Sequence, residues 1–174
     1  MERREFLIVA GAAVVASAMP DVSEAAQRTA ALKILNAHEG ETLLKMSRQL
    51  YPHSRLNDAH YMKVVQDLDA EASAAPATAK LLRDGIAKLD GMTNVGFVAL
   101  ASDQQLAVLK KVESSEFFQK VRSTEVVSLY NNQDVWEVFG YPGASYRTGG
   151  YLHHGFNDLT WLPDPPEQAS PKPA

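Results

Sequence analysis

The sequence of 174 residues contains no cysteine. This absence excludes disulfide bonds, cysteine-ligated iron–sulfur clusters, a lipid-modified cysteine and covalent haem attached through C-x-x-C-H. Charge of either sign is also modest, since 17 basic and 21 acidic residues leave a formal net charge of −4. Nucleic-acid binding normally requires a basic patch, and we find none. The core must therefore be held together by packing alone.

Motifs for catalysis and cofactor binding are also missing. We find no Gly-x-Ser-x-Gly elbow, no Gly-x-Gly-x-x-Gly loop and no Walker-type phosphate loop. His38-Glu39 begins like a zinc-protease helix, but Thr42 occupies the position of the second histidine. The adjacent His153 and His154 would point to opposite sides of an extended chain. We therefore predict no catalytic residue, no metal site and no cofactor in this chain.

The N-terminus has the composition of an export signal. Two arginines precede residues 6–18, thirteen residues of which only Ser17 is polar. This run is shorter than the roughly 20 apolar residues that a membrane span needs, but it suits a secretory signal. The twin-arginine export motif is matched by Arg3, Arg4, Phe6 and Leu7. Because twin-arginine cargo crosses the membrane folded, this match predicts a periplasmic protein that folds or assembles before export.

A cleavage site is predicted after the small-x-small sequence in which Ala16 and Ala18 flank Ser17, with 23–25 as a second choice. Cleavage there would leave about 156 residues, enough for one domain. We thus divide the N-terminus into a signal peptide, 1–18, and a segment 19–35. An ordinary signal or a buried first helix remains the alternative.

Residues 36–139 show the periodicity of amphipathic helices. Asn36 and Glu39 form a capping-box pattern, and Ser102 is a second predicted N-cap. The predicted core stripes are Leu43, Met46 and Leu50; Tyr61, Val64, Val65, Leu68 and Ala72; Leu82, Ile86 and Leu89; and Leu106, Leu109 and Val112. Residues 116–131 are apolar on more than one side, which predicts a central helix. The carboxylates of Asp67, Asp69 and Glu71 are expected on solvated faces.

The fold predicted from this pattern is all-α, an irregular bundle of five to six helices with a long Gly/aromatic C-terminal loop segment. That segment, 140–163, intersperses five glycines with Tyr141, Tyr146, Tyr151, Phe156 and Trp161. It is too aromatic for a free linker, so these rings either cover the domain's own core or bind a partner protein. Residues 164–174 are predicted to be a Pro-rich flexible tail.

Several sequence stretches together resemble the gluconate 2-dehydrogenase subunit 3 family. They are the twin-arginine start, the stretch "LYPHSRLNDAHY", the stretch "VVSLYNNQDVWEVFGYPG" and the ending "GGYLHHGFNDLTWLPDP". The likeness covers nearly the whole chain after the signal, and 140–163 is its most specific part.

The resemblance implies a non-catalytic small subunit of a periplasmic sugar or sugar-acid dehydrogenase complex. The catalytic large subunit would belong to the glucose-methanol-choline oxidoreductase class and bind FAD, and a cytochrome c subunit can pass the electrons on. The small subunit would bind the large one and supply the twin-arginine signal for both, which can leave the complex associated with the inner membrane. An independent periplasmic enzyme or ligand-binding domain that uses His53, His60 and Tyr61 is the alternative function.

Overall fold

The structure is a computed structural model that describes residues 32–151 together with Pro163, Pro166 and Gln168. These residues contain α-helices and one short 3-10 helix, and no strand occurs among them. The helices are α1 (Ala37–Leu50), α2 (Asp58–Ala74), α3 (Pro76–Gly91), α4 (Ser102–Val112), α5 (Glu116–Tyr130) and α6 (Gln133–Phe139), followed by the 3-10 helix Ser145–Thr148. The all-α prediction is confirmed, and six α-helices fall within the predicted number.

Side-chain caps set the beginnings of most helices. Asn36 accepts a hydrogen bond from Glu39 N at 2.9 Å, and the Glu39 carboxylate accepts one from Asn36 N at 2.8 Å. This reciprocal pair is the predicted capping box. The prediction for α4 is wrong by one residue, because Ala101 is the N-cap and Ser102 is the first helical residue. Without a capping hydroxyl, Ala101 N donates instead to the side chain of Gln104 at 3.2 Å.

Helix α5 lies at the centre of the bundle and packs against α1, α2, α3 and α6. Phe117 of α5 packs tightly against α3 at Gly85, where an added Cβ would lie only 2.1 Å from Cγ of Phe117. A glycine at this position thus lets the aromatic ring seat directly against the helix backbone. The central position was predicted, but Val126 and Val127 on the outer side of α5 are 40 % and 62 % exposed.

The buried core agrees with most of the predicted stripes. The stripes of α2 and α3 are buried throughout, and so are the Leu and Met of α1 apart from the half-buried Leu50. The stripe of α4 differs, since Leu106 faces solvent and Gln105 is buried. The Gln105 amide reaches the carbonyl of Phe97 at 3.2 Å, a hydrogen bond across the loop before α4 that the spacing of apolar residues does not indicate.

Asp69 does not lie on a solvated face as predicted. Its carboxylate is 3 % exposed and accepts hydrogen bonds from three successive backbone N–H groups of 33–35 at 2.7–2.9 Å. Burial by itself would raise the pKa of Asp69, but these N–H donors reverse the effect and lower it below the usual value. Asp69 therefore anchors the segment that leads into α1.

Candidate functional site

The first part of the candidate site consists of the tyrosines that follow α6. Tyr141, Tyr146 and Tyr151 are 50 %, 72 % and 75 % exposed, so these rings contribute little to the domain's own core. The other two predicted interface residues, Phe156 and Trp161, lie outside the described residues. The three tyrosines therefore do not fill the core, and their role at a partner interface stays a prediction.

The chain directly after α6, at Gly140 and Tyr141, is held to the bundle by several contacts. Gly140 ends α6 in the left-handed region, with φ of 73°, which turns the chain so that Tyr141 N donates to the carbonyl of Trp136 at 2.8 Å. The two rings then meet edge to face with centroids 5.3 Å apart. The Trp136 indole N–H donates to the carbonyl of Tyr130 at 2.6 Å. Helix α6 and the tyrosine segment are thus held against the end of α5.

A second group of rings lies near the end of α5, and its members were not predicted to come together. We call it the aromatic strip and define it as Tyr51, Tyr130, His53 and Phe139. Successive ring centroids lie 5.8, 5.7 and 5.1 Å apart in edge-to-face contacts. A hydrogen bond of 2.7 Å also joins His53 Nε2 to the Tyr130 hydroxyl. The strip reaches solvent, because Tyr130 is 38 % and Phe139 is 37 % exposed.

The residues proposed for an independent activity have structural roles in this region. Tyr61 is fully buried, and its hydroxyl donates to the carbonyl of Tyr51 at 2.6 Å while accepting from His53 N at 3.1 Å. Burial raises the pKa of Tyr61 despite the guanidinium of Arg48, which lies 4.8 Å from the ring centroid. Tyr61 therefore holds the turn after α1 in place. His60, in contrast, has a buried Nδ1 without a hydrogen-bond partner among the described residues.

Helix α5, which ends at Tyr130 of the strip, buries the carboxyl group of Glu125. The residue is 0 % exposed, and neither carboxyl oxygen has a hydrogen-bond partner in the described part of the chain. Desolvation raises the pKa of Glu125 from 4.5 to about 9, so the group is neutral at pH 7. The pKa of Tyr130 is also raised, mainly by burial and less by the nearby Tyr51 and Glu125. The burial of Glu125 was not predicted, and its only signal in the sequence is its position among apolar residues.

An open cleft adjoins the strip at Tyr51. It has a volume of about 570 Å³ and is lined by residues that include Leu50, Phe118, Glu113 and Arg122.

Within residues 32–151 no cluster of three metal-ligating side chains occurs. None of the helices in the same range is long and apolar enough to cross a membrane. The signal and cleavage residues lie outside the described residues, at Arg3, Arg4, Phe6, Leu7, Ala16 and Ala18.

The fold and this surface define a small helical domain with an exposed aromatic end. In comparisons with known proteins, no family model, no curated protein and no solved structure matches the chain. The resemblance to the gluconate 2-dehydrogenase subunit 3 family therefore remains a prediction from the sequence motifs.

Proposed function

We propose that this chain is a non-catalytic small subunit of a periplasmic FAD-dependent sugar or sugar-acid dehydrogenase. In this role it binds a catalytic large subunit of the glucose-methanol-choline class, supports its folding and stability, and carries it through the twin-arginine translocase. FAD belongs to the partner, and a cytochrome c subunit can complete the assembly. The motif resemblance supplies the class of partner.

The observation that carries the proposal is the exposure of Tyr141, Tyr146 and Tyr151 at one end of a filled core. Tyrosine offers a large apolar area together with a polar tip, and it is enriched among the residues that dominate binding energy at protein interfaces. Because α6 and Tyr141 are anchored through Trp136, little ordering of this part of the segment is needed on binding. Pre-organisation of this kind favours affinity.

The alternative of an independent enzyme has less support from the geometry. Its three candidate residues do not present their polar atoms together in an open pocket. The Tyr61 hydroxyl is buried and has two backbone partners, and the His53 ring is hydrogen-bonded to Tyr130. A general acid or base has to come within hydrogen-bond reach of its substrate, which this arrangement does not offer to Tyr61.

The central experiment is recovery of the partner through an affinity tag on the C-terminus of the full chain, expressed in its native host. We expect a flavoprotein in equal stoichiometry, identified by its flavin absorbance and by mass spectrometry. A chain recovered only as a free monomer, or one that oxidises a sugar substrate alone, would contradict the proposal. Transient association without a stoichiometric complex would instead indicate an export chaperone.

Interface variants then test the aromatic segment. We expect Tyr151→Ala and Trp161→Ala each to weaken association by about 2 kcal/mol, the size typical of an interface hot spot. Leu106→Ala is the matched control, since Leu106 is 41 % exposed on α4 and lies outside the segment. If the two aromatic variants lower the melting temperature of the isolated chain but leave association intact, these rings belong to its core and the interface assignment is wrong.

The export role is tested separately by the double variant Arg3→Lys, Arg4→Lys. We expect it to retain both subunits in the cytoplasm, measured as dehydrogenase activity in periplasmic and cytoplasmic fractions. Periplasmic activity equal to that of the wild type would contradict the proposed role in export, but it would not contradict formation of the complex.

A further inference from the structure

The aromatic strip has an arginine at each end. At one end the guanidinium carbon of Arg55 lies 6.0 Å from the centroid of the Phe139 ring. At the other end Arg122 lines the cleft that it shares with Tyr51. The contacts of the four rings lead from the ring beside Arg55 to the ring that shares a cleft with Arg122, and both arginines are exposed.

Neither of these arginines has an acidic partner in the described part of the chain. The neighbouring Arg48 shows the contrast, because it lies 3.3 Å from a carboxylate oxygen of Asp58 and donates to the carbonyl of Leu56 at 3.1 Å. Glu113 lines the same cleft as Arg122, but no ion pair forms between them. Arg55 and Arg122 therefore retain their capacity for bidentate hydrogen bonds to a carboxylate.

The buried carboxyl of Glu125 does not offset these two charges at neutral pH. Glu125 interacts electrostatically with Tyr130, and desolvation raises the pKa of Glu125 to about 9, so its carboxyl group is neutral at pH 7. Glu113 also lines the cleft beside Arg122, so the strip and the cleft together present two guanidinium groups and one exposed carboxylate, on a chain whose formal net charge is −4. Guanidinium groups beside exposed rings are the pattern of a surface that selects a complementary partner.

We propose that the aromatic strip, with Arg55 and Arg122 at its ends, binds a segment of the partner protein in which carboxylates flank an apolar side chain. The inference rests on the proposed function and extends it, because it names the chemistry of the partner surface and adds a contact region on the helical body. The apolar side chain packs against Tyr130 and Phe139, and each carboxylate pairs with one guanidinium.

An acidic protein surface fits these observations better than an anionic membrane. Attraction to a bilayer grows by about 1 kcal/mol with each basic residue near the surface, and stable binding usually involves four or more. This strip offers only two arginines, Arg55 and Arg122. Two guanidinium groups with rings between them are instead suited to a protein segment that carries two carboxylates.

The test uses the tagged full chain and the flavoprotein recovered with it, with Arg55→Glu and Arg122→Glu as variants. Lys88→Glu is the matched control, because Lys88 is an exposed residue of α3 and makes the same change of charge outside the strip. We expect each arginine variant to weaken association at least about tenfold, as loss of an interfacial charge pair does. The lysine variant should bind like the wild type.

Two further measurements separate recognition from damage to the fold. All three glutamate variants should keep the melting temperature of the wild type, since the altered side chains are exposed. Arg55→Lys and Arg122→Lys should retain part of the affinity, because lysine keeps the charge but loses the bidentate geometry. Association of the wild type should weaken with rising salt, and this dependence should be smaller in the glutamate variants.

The outcomes distinguish the inference from the proposed function. If the flavoprotein is recovered equally well with Arg55→Glu, Arg122→Glu and wild type, the inference is wrong and the proposed function stands. If the wild-type chain recovers no flavoprotein, the proposed function fails and the inference fails with it. Binding of the wild type, but not of the arginine variants, to vesicles of phosphatidylglycerol and phosphatidylethanolamine would assign the strip to a membrane and overturn the inference.

Discussion

The buried Glu125 makes the stability of this domain depend on pH in a direction opposite to that of an ion-paired carboxylate. Its pKa is raised from 4.5 to about 9 in the folded chain. Between these two pH values the folded state keeps the proton and the unfolded state releases it. Stability therefore falls as pH rises through this window, and the full contribution of the protonated group is present only below the lower value.

The size of this effect follows from the proton linkage. One proton bound in the folded but not in the unfolded state changes the free energy of unfolding by about 1.4 kcal/mol per pH unit. From about pH 5.5 to about pH 8.5, Glu125 alone should thus remove about 4 kcal/mol of stability. A domain of this size is typically stable by only about 5–15 kcal/mol, so the loss should be easy to measure.

The matched perturbation is Glu125→Gln, which keeps the shape and polarity of the protonated carboxyl but cannot ionise. We expect the variant to gain about 4 kcal/mol relative to the wild type between about pH 5.5 and about pH 8.5. Urea denaturation followed by circular dichroism at a series of pH values measures this difference directly. Glu116→Gln is the control for the substitution itself, because Glu116 lies on the same helix but is exposed.

Parallel pH profiles for wild type and Glu125→Gln would refute the reasoning. They would mean that the carboxylate can ionise in the folded state without penalty. A partner or solvent would then have to reach the two oxygens that have no hydrogen-bond partner within the described residues.

Two further predictions concern the packing at Gly85 and the buried carboxylate of Asp69. Gly85→Ala should destabilise the domain by about 1–3 kcal/mol in urea denaturation, because the added methyl overlaps the ring of Phe117. Gly91→Ala, where nothing lies within 4 Å of the new Cβ, should instead be neutral or stabilising by up to about 1 kcal/mol, and equal losses would contradict the packing argument. Asp69→Ala should cost about 3 kcal/mol at neutral pH, since the N–H donors of 33–35 lose a charged acceptor. Because the pKa of Asp69 is lowered on folding, this cost should shrink as pH falls below about 4, and a constant cost would show that the carboxylate charge is not involved.

The helices were predictable because local signals agree with tertiary packing. Asn36 with Glu39 marks the start of α1, and the apolar spacing of α2 and α3 matches the residues that the structure buries. Such signals act within about one or two helical turns, so a single sequence contains them in full. The burial of Gln105 in α4 was not predicted because it depends on a contact outside the helix. The Gln105 amide donates to the carbonyl of Phe97, eight residues earlier in the chain.

The candidate site was predictable only in part, because its contacts join residues far apart in the chain. The tyrosines after α6 stood out by composition. The aromatic strip did not, since the hydrogen bond between His53 and Tyr130 joins residues 77 positions apart in the chain. Asp69 was misassigned for a related reason: a carboxylate on a helix looks solvated until a distant segment, here 33–35, brings its N–H groups to it.

The aromatic strip and the tyrosines that follow α6 are linked through Trp136, so a partner that binds one of these surfaces would affect the other. The Trp136 indole ties α6 to the carbonyl of Tyr130, and Tyr130 is itself a ring of the strip. A partner that displaced Tyr141 from Trp136 would therefore loosen the element that positions Phe139 as well. Binding to the segment and binding to the strip should then be coupled rather than additive, as expected for residues that share partners. A double-mutant cycle between Tyr141→Ala and Arg55→Glu that gave strictly additive losses would show that the two surfaces act independently.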